Sequence, residues 1–157
     1  MASDLGGYGD SDKPPAGEEN IGYSKRTLAK DQVALMAELG YEDFFLVGHD
    51  RGSRVAPRMV LDYPQSVRRV IMLDTIPVDT AFVNVNADLA TAWFHGFFMR
   101  RPEPFLEAMI SSNVEFFMRH LLDSWSTVPG AFTDEAFAEY LRCFENPETI
   151  HASCQEY

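Results

Sequence analysis

Chemistry in this sequence concentrates in five residues, Gly48-His49-Asp50-Arg51-Gly52, which follow the apolar run Phe44-Phe45-Leu46-Val47. A Gly-x-nucleophile-x-Gly run between a strand and a helix forms an elbow. Its glycines permit a turn tight enough to lift the middle side chain above the sheet. Here that side chain is a carboxylate, Asp50, which can attack an electrophilic carbon and carry it as an ester. An ordinary strand-to-helix turn with Asp50 as the helix cap fits the same five residues equally well.

Arg51 and Arg54 come one and four residues after Asp50, in the first turn of the helix that must follow. Both guanidinium groups can then reach the space above Asp50. Two such forks suit a carboxylate, which arginine binds in bidentate geometry. The lesser alternative is two surface arginines on a solvated helix face. A second acid, Asp74, closes the next apolar run, Val70-Ile71-Met72-Leu73.

The elements that position these residues follow from the spacing of apolar side chains. Ser24 opens a helical pattern through Leu28, Leu35, Met36 and Leu39, and Gly40 closes it. Phe44 to Gly48 is continuously apolar, as in a parallel strand buried on both faces. A helix from about Arg51 to Asp62 and a strand from Val67 to Asp74 complete a parallel βαβ crossover. Asp4 to Gly22, rich in Gly, Pro, Asp and Ser, is a loop. After Pro77 the chain becomes helical, with breaks at Arg101-Pro102-Glu103-Pro104, Val128-Pro129-Gly130 and Glu145-Asn146-Pro147. The expected fold class is α/β. Residues 1–76 form a parallel-sheet core with the elbow, and residues 77–157 an all-helical cap.

The bulk composition narrows the partners. A chain of 157 residues that is 46% hydrophobic and 13% aromatic can build a core, and its net charge of -11 repels nucleic acid and anionic membranes. No run approaches the ~20 apolar residues of a membrane span, and no targeting segment stands at the start. Cys143 and Cys154 read as reduced packing thiols in a cytoplasmic protein. Neither a metal-ligand set nor a cofactor motif is expected.

Asp4-Leu5-Gly6-Gly7-Tyr8-Gly9-Asp10-Ser11-Asp12-Lys13-Pro14 resembles the loop that precedes the elbow in α/β-hydrolases. Within that superfamily, Gly48 to Arg54 resembles the Gly-His-Asp-Arg-Gly-x-Arg elbow of the haloacetate (fluoroacetate) dehalogenases, and Leu73-Asp74-Thr75-Ile76-Pro77 their Leu-Asp-x-x-Pro strand end. The resemblance implies a partial α/β-hydrolase fold and a role for each matched residue. Asp50 displaces halide and becomes an ester, Arg51 and Arg54 bind the substrate carboxylate, and Asp74 orients the histidine that activates water. His95 and Tyr157 donate hydrogen bonds to the departing halide, although a histidine such as His95 in an aromatic run is, read by itself, more often a satisfied core residue. Substrate and water are the implied partners, no cofactor is needed, and a homo-oligomer is compatible.

Three departures from the family pattern stand out. The chain is about half the family length, so the early strands, the oxyanion loop and the catalytic histidine are expected to be missing. None of His49, His95, His120 and His151 stands at that histidine's position. Gly96 replaces a tryptophan of the halide pocket, which favours chloride or bromide over fluoride. Pro57 falls inside the helix after the elbow and is expected to kink it or move its start. Two other functions compete. Epoxide hydrolases share an elbow aspartate but usually follow it with tryptophan, where Arg51 stands here. An inactive truncated or binding protein would keep half a site without turnover.

Overall fold

The structure is a computed structural model that describes residues 1–157, with the side chains of all but Val78 and Asp79. It divides into two compact units, Gly17–Trp93 and Met1–Ala16 with Phe94–Tyr157.

In the first unit a short 3-10 turn, Glu18–Tyr23, leads to α1, Lys25–Glu38. Ser24 caps α1 by accepting from the Thr27 N–H at 3.1 Å. The helix ends at Gly40, whose φ of 85° belongs to the left-handed region. The Gly40 N–H donates to Ala37 O and the Tyr41 N–H to Met36 O, both at 2.9 Å, which satisfies the last carbonyls as in a Schellman motif. Leu28 is buried, Leu35 and Met36 are half-buried, and Leu39 lies exposed, so only part of the expected apolar stripe reaches the core.

Strands β1 (Phe44–His49) and β2 (Val67–Leu73) pair in parallel, with Leu46 opposite Val70, Gly48 opposite Met72 and His49 opposite Leu73. The crossover helix α2 (Arg51–Asp62) buries Ser53, Val55, Ala56 and Met59. It runs through Pro57, which sits on the exposed side of the helix and neither ends it nor moves its start.

The expectation that these strands are buried on both faces is not met. Phe45 is 68% exposed, Val47 61% and Ile71 57%. Side chains alternate across a strand. Gly48 lies against the start of α2, so Phe44, Leu46 and Gly48 face that helix and Phe45, Val47 and His49 face away. The sheet of the described residues has two strands, and no described side chain of this unit covers its second face. This has a measurable consequence. Val47→Ala should change stability by less than about 0.5 kcal/mol, whereas Met59→Ala, which empties a buried site beneath α2, should cost about 2–5 kcal/mol. Urea unfolding of the two variants checks this, and equal losses would mean that Val47 is packed in solution. Helices α3 (Val78–Val83) and α4 (Ala87–Ala92) close the unit, and Asn86 caps α4 by accepting from the Leu89 N–H at 2.8 Å.

The second unit is helical: α5 (Phe94–Phe98), α6 (Phe105–Ser111), α7 (Val114–Trp125), α8 (Asp134–Phe144) and α9 (Pro147–Gln155). Side chains of Asn113, Thr133 and Asn146 cap α7, α8 and α9. Met99, Leu106, Ile110, Ile150 and Cys154 form its core, with Phe98, Phe117, Phe144 and Tyr157 packed around them. The loop of residues 4–12 belongs to this unit. Tyr8 Oη donates to Glu156 at 2.6 Å, and Arg142 Nη2 donates to Asp10 at 3.0 Å. Both cysteines are free thiols, Cys143 half-buried and Cys154 buried. No helix of the described residues is long and apolar enough to cross a membrane.

Candidate active site

Asp50 stands at the turn between β1 and α2, with φ 46° and ψ -109°. A side chain in the left-handed region is uncommon, costs of order 1–3 kcal/mol and persists only where neighbours impose it. Two neighbours do so. The Asp50 N–H donates to Leu73 O at 3.2 Å, tying the turn to the end of β2. Gly48 lets the helix start close over the strand: a Cβ there would lie 2.6 Å from Gly52 O and 2.8 Å from Ser53 N. The second glycine behaves differently. A Cβ on Gly52 would meet nothing within 4 Å, so only Gly48 is sterically required. The exposed Asp50 carboxylate makes no capping hydrogen bond, which removes the plain-cap reading of this residue.

Ser53 is a residue that pattern reading missed. Its buried hydroxyl lies 2.5 Å from Gly48 O and 2.9 Å from Leu73 O, and it accepts from the Leu73 N–H at 3.0 Å. One hydroxyl thus fastens the elbow to the end of β2 and fixes the separation of the two strand ends. A small polar residue on the buried side of a first helical turn was the only sequence signal. Ser53→Ala should cost about 1–3 kcal/mol, the penalty for orphaning buried backbone groups. Thermal unfolding checks this, and an unchanged midpoint would show that the clamp contributes nothing.

Asp74 follows β2 directly, at φ 50°, with its side chain 87% exposed. Its Oδ2 lies 3.8 Å from His49 Nε2. Because His49 pairs with Leu73 in the sheet, Asp50 and Asp74 emerge side by side from the ends of adjacent strands. Arg51 opens α2, and Arg54 lies half-buried one turn on, on the Asp50 side of the helix by its spacing of four. The Arg54 guanidinium rests on the indole of Trp93, 5.0 Å from Cζ to the ring centroid.

Within the helical unit, His95 and Tyr157 are brought together. Their rings meet edge to face at 6.4 Å, and His95 is only 9% exposed. The Trp125 ring, which pattern reading did not single out, lies 4.8 Å from His95. In the same unit Glu103, Glu107 and His151 place one ligand-type atom each within 4.8 Å of one another. His151 Nδ1 lies 3.2 Å from Glu107 and 3.5 Å from Glu103, contacts that tie α9 to the start of α6.

A parallel crossover whose first strand ends in a tight turn, with an acid at its apex, fits the nucleophile elbow of the α/β-hydrolase fold. The family model for the α/β hydrolase fold matches residues 1–152, and the chain belongs to that family. Among individual proteins it is 40% identical over 158 residues to a fluoroacetate dehalogenase from a Burkholderia species, covering 100% of this chain and 52% of that one. It is 34% identical over 164 residues to a soluble epoxide hydrolase from Corynebacterium sp. (strain C12), covering 100% of this chain and 54% of that one. The crystal structure of ALR0039 from Nostoc sp PCC 7120 superposes with a TM-score of 0.95 at 45% identity, over 98% of this chain and 53% of that one. The chain therefore spans about half the length of the relatives it matches.

Proposed function

We propose that the chain carries the nucleophile of a hydrolytic dehalogenase of short 2-haloacids. The observation that carries this reading is Asp50, exposed and uncapped at a strained elbow, with Arg51 and Arg54 on the helix that leaves it. An Asp50 oxygen attacks the halogen-bearing carbon, a C–O bond forms, and the carbon–halogen pair leaves as halide. Arg51 and Arg54 hold the substrate carboxylate, while His95 and Tyr157 serve the halide. Water then cleaves the ester, its proton taken by a histidine that Asp74 orients. None of the four histidines present corresponds to that base, so the chain alone would stop at the ester. In this reading residues 1–76 are the catalytic core and residues 77–157 the cap, acting in the cytoplasm on a small haloacid and water.

The similarity to a soluble epoxide hydrolase supports a second reading, in which Asp50 opens an epoxide through the same type of ester. Parallel incubation with bromoacetate and with a neutral epoxide separates them. Intact mass, peptide mapping and lability to hydroxylamine report an ester on Asp50. Ester from bromoacetate alone is expected, ester from the epoxide alone would establish the second reading, and no ester with either would end both.

A further inference from the structure

We propose that Trp93 is a positioning residue for the carboxylate-binding site, its indole face holding the Arg54 guanidinium in one orientation for a substrate carboxylate. This rests on the dehalogenase reading of Asp50. Arg54 has no carboxylate partner among the described residues, although the chain's net charge is -11 and acids abound. Arg58, one turn further along α2, shows the contrast: its guanidinium pairs with Asp62. Arg54 Nε is buried without a hydrogen-bond partner, so the stem of the fork is enclosed. A buried N–H without a partner is costly, and beside it the structure sets an aromatic face 5.0 Å from Cζ. Stacking suits the planar guanidinium and leaves its edge able to form a bidentate bond to a carboxylate. The Trp93 ring packs 5.7 Å from that of Phe82, and the backbone N–H of Trp93 donates to Leu89 O at 2.8 Å. An arginine held in this way loses less rotamer freedom when the substrate arrives.

The test compares ester formation on Asp50 by bromoacetate, which has the carboxylate, and by bromoacetamide, which does not. In Trp93→Ala the half-saturating bromoacetate concentration should rise about two- to thirtyfold, the span of a cation–π contact, with the limiting rate unchanged. Bromoacetamide should react as before, and Trp93→Phe should recover part of the loss. A merely structural role would slow both reagents alike, and that result, or no change with either, would overturn the proposal. If the unsubstituted chain forms no ester on Asp50, the dehalogenase reading falls and takes this proposal with it. If it forms the ester and Trp93→Ala matches it, only the role of Trp93 falls.

Discussion

Asp50→Asn is expected to lower ester formation from bromoacetate by about 10⁴-fold or more, the scale of loss when a covalent nucleophile is removed. An amide has nearly the carboxylate's shape but little of its nucleophilicity. Since the Asp50 side chain is exposed and makes no cap hydrogen bond, its replacement should leave stability within about 0.5 kcal/mol. The loss would then be chemical. Thiols are the competing targets, and one is held back. Burial pushes the Cys143 thiol above its ordinary range, so little thiolate is present near neutral pH and its alkylation should grow as pH rises. Thioethers survive hydroxylamine and aspartyl esters do not, so the two products separate cleanly. An Asp50→Asn variant that forms hydroxylamine-labile adduct at the original rate would place the attack on another residue.

The second large effect belongs to Gly48. In Gly48→Ala the new methyl meets backbone atoms, Gly52 O at 2.6 Å and Ser53 N at 2.8 Å, and these cannot swing aside as a flexible side chain would. Either the helix start or the strand end must move. The strain should cost about 1–3 kcal/mol. A misplacement of ~1 Å at the nucleophile should slow ester formation about a hundredfold. Gly52→Ala supplies the matched control, since its Cβ meets nothing within 4 Å. Inside a helix, alanine is favoured over glycine by about 1 kcal/mol, so this variant should gain stability. Urea midpoints and ester-formation rates of both variants decide the matter. If Gly48→Ala behaves like Gly52→Ala, the close approach of helix to strand is not what shapes the elbow.

Much of this was readable from the order of residues. Ser24 and Gly40 mark the two ends of α1 because capping and the left-handed stop are local events, decided within a few residues. The same holds for β1, α2 and β2, whose type and order follow from runs of apolar side chains between turn residues. The elbow was legible as a pattern, though the five residues could not tell a nucleophile from a cap. Backbone angles and the missing cap bond of Asp50 speak only against the cap.

The sequence by itself determined the element order, the βαβ crossover and the place of Asp50 between strand and helix. Each depends on periodicity and on residues near one another in the chain. Only the tertiary structure decided that Ser53 clamps Gly48 to Leu73, that Arg54 stacks on Trp93, and that Gly48 but not Gly52 is required. It also overturned the burial of β1 and β2 on both faces. An apolar run records what a strand is able to bury. Which face is covered depends on elements distant in sequence, and here α2 covers one face of β1 while β2 stays exposed along nearly its whole length.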